Sequence, residues 1–432
     1  MMNIAIVGFN AEGRASYEYF KKQGHHITIC DQNASLAIPD DVNAQLGPHY
    51  LDKLDRFDLI VRTPGLQPSK ILEHSPKVKR KITSGTNEFF KACPTKNIIG
   101  VTGTKGKGTT STLIAQILEA AGKRVHLGGN IGVPALSFID DIKSNDWVVL
   151  ELSSFQLMDL AYSPPIAVCL MVVSEHMDWH KDMDEYIQAK QNLFAHQTAD
   201  DIAIYFAENE TSRQIASKST GKKLPYFASP GAYIEGGFIK IDNQIICQTR
   251  ELQLLGEHNW QNVCAAITAV WQITKDIDAI RKVVTTFSGL PHRLEFIREV
   301  NGVSYYNDSF ATTPEAAIVA MNSFEEPKLL ILGGSDKGAS YDELAQAVAN
   351  NKVRAVIVIG ETGQKIKLAL GAAGYLSVID GPDTMQEIVA KAYEYAEPGD
   401  VVLLSPGSAS FGMFQDYKDR GDQFRQAVQA LA

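Results

Sequence analysis

A glycine-rich loop that carries a lysine separates an apolar run from a stretch with helical periodicity. The loop is Gly103-Thr104-Lys105-Gly106-Lys107-Gly108-Thr109, and residues 111–122 follow it with helical spacing. Such loops bind phosphate, because glycines let backbone N–H groups approach the oxygens and a helix N-terminus contributes about half a positive charge. We therefore expect Lys107 to contact the β- and γ-phosphates of a nucleotide and the Thr109 hydroxyl to bind Mg²⁺. A tight turn unrelated to nucleotide is the alternative.

Acidic and histidine side chains follow the next apolar runs. Glu151 ends the run 147–151, and a carboxylate at a strand end beside a phosphate loop is a candidate Mg²⁺ ligand. A solvent-facing glutamate is the alternative. His176 and His180 follow the apolar run 166–173, which is predicted to be a buried strand, and are four residues apart, as in some zinc sites. The sequence offers no third ligand at zinc spacing, so the pattern favours a Mg²⁺ site that His176 touches.

Two further polar positions lie in helical patterns. Lys190 has small and apolar neighbours in the amphipathic stretch 184–194, where a surface lysine with a buried stem is the common outcome. Asn259 and Asn262 are three residues apart and share one face of the helix that begins after Gly256, where two amides can bind a purine edge. Capping of that helix by Asn259 explains the pattern equally well.

The N-terminal segment carries a second glycine loop after a strand. An apolar run leads into Gly8-x₄-Gly13, and a second run, 26–30, ends at Asp31, as in a dinucleotide-binding βαβ unit. The middle glycine that admits a pyrophosphate is missing, so a dehydrogenase is weakly supported. Another diphosphate, such as that of a UDP-sugar, fits the same geometry, with Asp31 near ribose or uracil. A turn at Gly65 follows the next run, at an edge where ligands collect.

A third α/β segment occupies the C-terminal part of the chain. Its expected strands are residues 303–306, 329–332, 355–359 and 401–404. Because the carboxyl ends of parallel strands meet at one edge of a sheet, the loops after these strands are expected to form one rim. These polar loops are residues 307–312, 333–337, 360–362 and 405–410. The rim carries a lysine, an aspartate and several hydroxyls, which suit a small carboxylate substrate.

Length and composition limit the possible classes of protein. A chain of 432 residues is expected to form two or three domains. The net charge of −9 argues against general nucleic-acid binding, because no basic excess neutralises phosphates. Five scattered cysteines without a C-x-x-C pair indicate free thiols in a reducing compartment. The sequence shows neither a signal-peptide pattern nor a run of about 18 apolar residues, so we expect a cytoplasmic protein without a membrane partner.

Several motifs occur together, in an order that resembles the Mur ligase family. They are Gly103 to Lys107, Gly129-Asn130-Ile131-Gly132, Leu150 to Leu157, Glu175 to Asp178, Gly256 to Asn259, Gly289 to Arg293, and the stretch from Leu404 to Gly421. The similarity extends over nearly the whole chain. It implies an α/β fold with three domains: a Rossmann-like UDP-substrate domain at 1–93, a central ATP-binding domain with a mostly parallel sheet at 94–296, and a Rossmann-like amino-acid domain at 297–432.

The resemblance also implies a reaction. It indicates an ATP-dependent ligase that joins glutamate, D-glutamate in particular, to UDP-N-acetylmuramoyl-L-alanine through an acyl phosphate, in peptidoglycan precursor synthesis. ATP, Mg²⁺ and these substrates are the implied small-molecule partners, and a monomer with closure about residues 292–298 is expected. A related ligase with another amino acid or acceptor, including the folylpolyglutamate type, is the alternative. A nucleotide-dependent binding module without activity is a further rival.

Position by position, the resemblance assigns roles in all three domains. Catalysis and Mg²⁺ binding fall to Lys107, Glu151, His176 and Lys190, with Thr109 as a further metal ligand and Lys190 carbamylated by CO₂. ATP is contacted by Gly103, Thr104, Lys105, Gly106, Lys107, Gly108, Thr109, Asn259, Asn262, Arg293 and Asp308. The UDP-substrate is contacted by Gly8, Ala11, Glu12, Asp31, Gln32, Gly65, Asn130 and Ser153. The amino acid is contacted by Thr312, Lys337, Ser410, Phe411 and Tyr417.

The chain departs from the family pattern in each domain. Gly108 replaces the serine or threonine after the loop lysine, as in folylpolyglutamate synthases, so Thr109 is expected to supply the hydroxyl. Phe310 stands where a lysine is usual, which removes one basic contact to glutamate and leaves the identity or stereochemistry of the amino acid open. The uracil-loop residues also differ, at Ala11-Glu12 and Gln32-Asn33.

Overall fold

The computed structural model describes residues 1–130, 133–254, 256–336 and 338–432. Within these ranges the chain divides into two compact units, residues 1–287 and residues 288–432. Both units are built from sheets whose apolar strands are buried between helices. None of the helices in the described ranges has the length and apolar character needed to cross a bilayer.

The first sheet belongs to the N-terminal residues. Its elements are β1 (Asn3–Val7), α1 (Ala11–Lys22), β2 (His26–Asp31), β3 (Asn43–Leu46), β4 (Leu59–Arg62), α2 (Pro68–His74), β5 (Ile82–Ser84) and α3 (Gly85–Ala92). The strands are parallel in the order β3-β2-β1-β4-β5. The chain reverses its direction across the sheet between β1 and β4, so the loops after these two strands meet at Gly8 and Thr63. A Cβ on Gly8 would lie 2.1 Å from Oγ1 of Thr63.

The second sheet surrounds the glycine-rich lysine loop. Its elements are β6 (Ile98–Thr102), α4 (Lys107–Ala120), β7 (Val125–Gly129), β8 (Trp147–Glu151), α5 (Ser154–Leu157), β9 (Ile166–Cys169), α6 (Met183–Gln191), β10 (Ile202–Phe206), α7 (Glu210–Ala216) and β11 (Lys222–Tyr226). The strands are parallel in the order β11-β10-β9-β6-β8-β7. The loop after β6 therefore lies at the centre of the carboxyl edge.

A small antiparallel sheet and two helices complete residues 1–287. These elements are β12 (Tyr233–Glu235), β13 (Phe238–Ile241), β14 (Gln244–Gln248), α8 (Glu257–Val270) and α9 (Ile277–Thr286). Helix α8 packs against α4, the helix that follows the lysine loop. The N-terminus of α8 is thereby brought beside that loop.

Residues 288–432 form one further sheet with helices. Its elements are β15 (Glu295–Val300), β16 (Val303–Asn307), α10 (Pro314–Met321), β17 (Lys328–Gly333), α11 (Asp342–Ala349), β18 (Val353–Ile359), α12 (Gly363–Ala372), β19 (Val378–Asp380), α13 (Met385–Tyr395), β20 (Val401–Leu404) and α14 (Tyr417–Gln429). The order is β15-β16-β20-β17-β18-β19, with only β15 antiparallel in this described sheet. The loops after β16, β17 and β20 thus share one edge.

The structure corrects the sequence prediction in two places. The strand predicted over 166–173 ends at Cys169, because the backbone beyond it bonds elsewhere. The carbonyl of Met171 accepts from the lysine loop, and the N–H of Val172 donates to the side chain of Asn209. Glycines at positions 221, 231, 236 and 237 predict short strands and turns over residues 202–250, but this stretch also contains helix α7, which Asn209 caps.

Candidate active site

The loop between β6 and α4 depends on glycine at two positions. Gly103 and Gly106 have φ angles of +148° and +83°, which side chains rarely adopt. A Cβ on Gly103 would lie 2.7 Å from the Cβ of Leu170, and one on Gly106 would lie 2.1 Å from Oδ1 of Asn262. Helix α4 begins at Lys107, and the N–H groups of its first turn lack intrahelical acceptors. This helix end is therefore suited to bind an anion.

Two lysine amines converge on one carbonyl oxygen of this loop. Nζ of Lys107 donates to the carbonyl oxygens of Gly103, at 3.2 Å, and Thr104, at 3.0 Å. Nζ of Lys190 reaches the loop from α6 and donates to the same Gly103 oxygen at 2.9 Å. The sequence left Lys190 between a surface role and a role in the site. The structure places it inside, against the phosphate-type loop.

Burial changes the acid–base behaviour of Lys190. Its side chain is 1% exposed, and its Nζ lies 4.5 Å from the centre of the Tyr186 ring. Burial, followed by the charge of Lys107, lowers the pKa of Lys190 to about 7. Part of the Lys190 amine is then unprotonated at neutral pH, and an unprotonated amine can act as a nucleophile.

Other residues of the loop differ in exposure. The Thr104 hydroxyl lies 3.0 Å from the hydroxyl of Tyr186 and is buried, so its oxygen is engaged within the protein. Lys105 is exposed, Gly108 is buried and Thr109 is half-buried in the first turn of α4. Thr109 is therefore the hydroxyl of this turn that lies nearer the surface.

A carboxylate ends the strand beside the loop. Glu151 at the end of β8 pairs with Val101 of β6, so its side chain lies next to the start of the lysine loop. Oε1 of Glu151 accepts from Nδ2 of Asn130 at 2.8 Å, and the two backbones are joined by a second hydrogen bond. The motif residues Ile131 and Gly132 lie outside the described residues. The fixed carboxylate suits Mg²⁺, which binds one or two carboxylates together with nucleotide phosphates.

The two histidines spaced by four residues lie in different environments. His176 has an exposed side chain whose ring centre lies 4.8 Å from that of Phe155. His180 is buried, and its Nε2 lies 2.9 Å from Oγ of Ser154. Burial lowers the pKa of His180, which favours the neutral ring. The spacing therefore produces one exposed histidine and one that serves as a packing and hydrogen-bonding group.

Asn259 and Asn262 lie beside the lysine loop at the start of α8. Nδ2 of Asn262 donates to Oδ1 of Asn259 at 3.1 Å, and Oδ1 of Asn262 accepts from the hydroxyl of Thr110 at 3.5 Å. The N-cap of α8 is Gly256, so the capping role considered for Asn259 is wrong. The two amides form one polar surface next to Gly106.

The glycine loop after β1 is tied to the end of β2. Oδ2 of Asp31 accepts from the N–H of Phe9 at 2.8 Å, and its other oxygen accepts a hydrogen bond within its own turn. A Cβ on Gly13 would lie 2.1 Å from the carbonyl oxygen of Gly8. Asp31 thus organises the loop, while the neighbouring Gln32 is exposed.

Glu12 connects the first sheet to the second. Its Oε1 accepts from Nε2 of Gln156 at 2.7 Å, and Oε1 of Gln156 accepts from the N–H and hydroxyl of Ser153. Burial raises the pKa of Glu12. Two residues assigned to the same substrate, Glu12 and Ser153, are therefore joined through Gln156. Ala11, before Glu12, is exposed.

Two side chains that the motifs did not single out support this region. Arg62 is buried at the end of β4 and forms a two-pronged pair with Asp159, at 2.7 and 2.5 Å. Nε1 of Trp179 donates to the carbonyl oxygen of Gly65 at 3.2 Å. The sequence could have indicated Arg62, because a charged residue stands at the end of an apolar run there. The sequence around Trp179 carries no such signal.

In residues 288–432, an acid is buried among hydrogen-bond donors. Oδ2 of Asp308 accepts from the hydroxyl of Ser405 at 2.7 Å, and Oδ1 accepts from the N–H of Leu294 at 3.1 Å. Burial raises the pKa of Asp308 to about 7. The guanidinium of Arg293 lies 5.8 Å from the centre of the Phe310 ring.

The loops after β16, β17 and β20 form the rim predicted for the amino acid. An isolated bridge between Ser335 and Ala409 joins two of them. Of the residues assigned there, Ser410 is buried, Thr312 and Tyr417 are half-buried, and Phe411 is exposed. The Tyr417 ring packs edge-on against Phe310, with centres 5.3 Å apart. Lys337 lies outside the residues that the structure describes.

Comparison with known proteins decides the family. The Mur ligase middle domain model matches residues 101–270, and the model of the Mur ligase glutamate ligase domain matches residues 292–407. The chain is 38% identical over 453 aligned residues to UDP-N-acetylmuramoylalanine–D-glutamate ligase of Acetivibrio thermocellus, with 99% of this chain and 96% of the relative covered.

The chain belongs to the Mur ligase family. This finding confirms the resemblance drawn from the motifs. Two solved structures show the same fold: UDP-N-acetylmuramate-alanine ligase of Thermotoga maritima (TM-score 0.58, 16% identity, all of both chains covered) and the MurF ligase of T. maritima in complex with ADP (TM-score 0.57, 16% identity, 99% of this chain and 95% of that chain). The prediction of an α/β fold of this family is confirmed.

Proposed function

We propose that this Mur ligase uses ATP to add D-glutamate to UDP-N-acetylmuramoyl-L-alanine in peptidoglycan precursor synthesis. The observation that carries the proposal is the convergence of Lys107 and Lys190 on the Gly103 carbonyl, beside the carboxylate of Glu151. Cations, a glycine loop and a fixed carboxylate suit phosphoryl transfer, which depends on positioning and charge neutralisation. The substrates are proposed by analogy with the UDP-N-acetylmuramoylalanine–D-glutamate ligase of A. thermocellus.

The reaction proceeds in two steps. A carboxylate oxygen of the alanyl group attacks the γ-phosphorus of ATP, and the bond between this phosphorus and the β-phosphate oxygen breaks. The products of this step are ADP and an acyl phosphate. The glutamate amine attacks the carbonyl carbon, loses a proton, and the tetrahedral intermediate expels phosphate. Lys107 donates hydrogen bonds to phosphate oxygens and neutralises their charge throughout. The N–H groups at the start of α4 bind the remaining oxygens.

Glu151, His176, Thr109 and carbamylated Lys190 are proposed to hold Mg²⁺. The hydrogen-bonded Glu151 carboxylate at the strand end fits such an ion, which would neutralise phosphate charge when bound. Carbamylation requires the unprotonated Lys190 amine: its nitrogen bonds to the carbon of CO₂ and one proton is lost. The step turns a cation into an anion, and the lowered pKa of Lys190 makes it available near neutral pH.

The other assigned residues bind the three substrates. ATP is proposed to contact Gly103 to Thr109, Asn259, Asn262, Arg293 and Asp308. The UDP-substrate is proposed to contact Gly8, Ala11, Glu12, Asp31, Gln32, Gly65, Asn130 and Ser153, and the amino acid Thr312, Lys337, Ser410, Phe411 and Tyr417. We propose the domain division 1–93, 94–296 and 297–432, and a monomer that acts in the cytoplasm.

An assay of ADP release tests the proposal. Purified protein receives ATP, Mg²⁺ and UDP-N-acetylmuramoyl-L-alanine, with D-glutamate, L-glutamate and other amino acids added one at a time. We expect ADP release that depends on both substrates and is fastest with D-glutamate. ADP release that requires a folate acceptor, or that does not depend on the added amino acid, would contradict the proposed reaction.

A further inference from the structure

Arg420 lies directly beneath the loops proposed to hold the amino acid. Its side chain comes from α14 and is 0% exposed. Nε and Nη2 donate to the hydroxyl and the carbonyl oxygen of Ser309, at 2.9 and 2.8 Å. Nη1 donates to the carbonyl oxygens of Ser408 and Ala409, at 3.2 Å each. One guanidinium therefore supports the loop after β16 and the loop after β20.

The charge of Arg420 has no carboxylate partner among the residues that the structure describes. The buried Arg62, by contrast, forms a two-pronged pair with Asp159, and Arg425 pairs with Glu295. Burial lowers the pKa of Arg420 only to about 10, so the group is a cation at neutral pH. An unpaired buried charge is costly to a fold. The unpaired positive charge of Arg420 therefore indicates that an anionic group of a ligand supplies the missing negative charge.

The peptide groups around Arg420 are aligned by its charge. The carbonyls of Ser408 and Ala409 point at the guanidinium, and a trans peptide carries its N–H on the opposite side. The N–H groups of Ala409 and Ser410 therefore point away from Arg420. The loop after β17 also approaches the guanidinium, since a Cβ added to Gly334 would lie 3.2 Å from Nη1.

A second observation points to a ligand at the same place. The hydroxyl of Ser335 is buried and has no hydrogen-bond partner among the described residues. The N–H of Ser335 donates to the carbonyl oxygen of Ala409 at 2.9 Å, the same oxygen that accepts from Arg420. A buried polar atom without a partner calls for an explanation, and a polar ligand supplies one.

We propose that Arg420 is a positioning residue that favours an amino acid with an acidic side chain, because its buried charge neutralises a substrate carboxylate through the loops at Ser309, Ser335 and Ser408–Ser410. The inference rests on the proposed function and names the substrate class of that site. Glutamate should be preferred over glutamine, which has the same shape without the second charge.

Kinetics of paired variants test the role of the charge. Arg420→Gln removes the charge and keeps some donors, whereas Arg420→Lys keeps the charge. For each we compare the KM of glutamate, the KM of ATP and the preference for glutamate over glutamine, using the enantiomer that the wild type prefers. In Arg420→Gln we expect the glutamate KM to rise, and the preference to fall, by roughly ten-fold, with the ATP KM unchanged. Arg420→Lys should stay within about three-fold of the wild type.

Lys328→Met is the matched control. Lys328 is also a buried cation of residues 288–432, but it begins β17, whereas Gly334 follows the other end of that strand. Its replacement should change thermal stability without changing the glutamate preference. Equal losses of turnover and stability in both Arg420 variants, with the preference intact, would show a structural role only and overturn the proposal.

Ser335→Ala keeps the test decisive if Arg420→Gln does not fold. This variant removes only the unpartnered hydroxyl, and we expect a rise of about three-fold in the glutamate KM with the ATP KM unchanged. An unchanged glutamate KM in Ser335→Ala would then overturn the inference. A wild type inactive with every amino acid would instead refute the proposed function, so the two failures are distinguishable.

Discussion

The lysine loop of residues 1–287 and the rim of residues 288–432 use buried positive charge in different ways. At the loop, Lys107 and Lys190 share the Gly103 carbonyl, and burial, followed by the charge of Lys107, lowers the pKa of Lys190 to about 7. Beneath the rim, burial lowers the pKa of Arg420 only to about 10, so this guanidinium stays charged at neutral pH. Lysine loses its proton readily when buried, whereas arginine keeps its charge. The loop is therefore suited to a reaction at the Lys190 amine. The rim is suited to selecting an acidic substrate by a positive charge that does not change near neutral pH.

The largest expected effect is at Lys107, the lysine of the loop that we propose contacts phosphate. Lys107→Ala should reduce ADP release roughly a hundred- to a thousand-fold, because a donor to the transferring phosphoryl group is lost. Lys123→Ala is the control, since Lys123 is exposed just beyond the other end of α4. Turnover in Lys107→Ala within a few-fold of the wild type would remove the lysine loop from the mechanism.

Lys190 tests whether the loop uses an amine or merely a charge. Lys190→Ala and Lys190→Arg should both lose about ten- to a hundred-fold in turnover, because neither can form a carbamate. With ¹³C-bicarbonate, the wild type should show a carbamate carbon signal that Lys190→Ala lacks. Because the pKa of Lys190 is about 7, the signal should weaken as pH falls below 7. Activity like the wild type in either variant would end the carbamate proposal.

Asp308 shows that the second unit also contains a group perturbed by burial. Its folded-state pKa of about 7 exceeds the unfolded value of about 3.9, so the folded state binds more protons between these values. Its contribution to stability is therefore full at low pH and is lost as pH rises through 7. Asp308→Asn should raise the thermal midpoint by a few degrees at pH 8 and leave it unchanged near pH 4. An equal midpoint in both proteins at pH 8 would contradict this account.

The smallest effect concerns Phe310 and the orientation of Arg293. Phe310→Ala removes the ring near the Arg293 guanidinium, and an exposed cation–π contact of this kind is worth about two- to five-fold in affinity. We expect the KM of ATP to rise by that factor. Phe296→Ala, at another exposed aromatic position, serves as the control. A change in both variants alike would point to general stability instead.

Sequence reasoning located the lysine loop between a strand and a helix because the signals for this arrangement are local. Glycines at 103 and 106, the lysine after them and the acid ending the next strand all have short-range signals. The α/β class and the family followed from the same motifs. Lys190 could not be placed by pattern, since the same helical spacing fits a surface lysine and a buried one.

The rim was harder to predict because the buried guanidinium that supports it, that of Arg420, is distant in sequence from the loops it contacts. Arg420 lies more than 100 residues from Ser309 along the chain, and only the folded sheet brings them to 2.9 Å. The strand predicted over 166–173 failed for a related reason: its last residues bond to the lysine loop and to Asn209 rather than to a neighbouring strand. Contacts between residues that are distant in sequence do not appear in the periodicity of the sequence, so the pattern could not predict them.

Oxygen isotope transfer tests the central claim most directly, that the lysine loop activates a carboxylate with ATP. The alanyl carboxylate of UDP-N-acetylmuramoyl-L-alanine is labelled with ¹⁸O, and the products with ATP, Mg²⁺ and D-glutamate are analysed by mass spectrometry. An acyl phosphate predicts that each released phosphate carries one oxygen from the carboxylate. Phosphate that contains none of this label while the amide product accumulates would contradict the account.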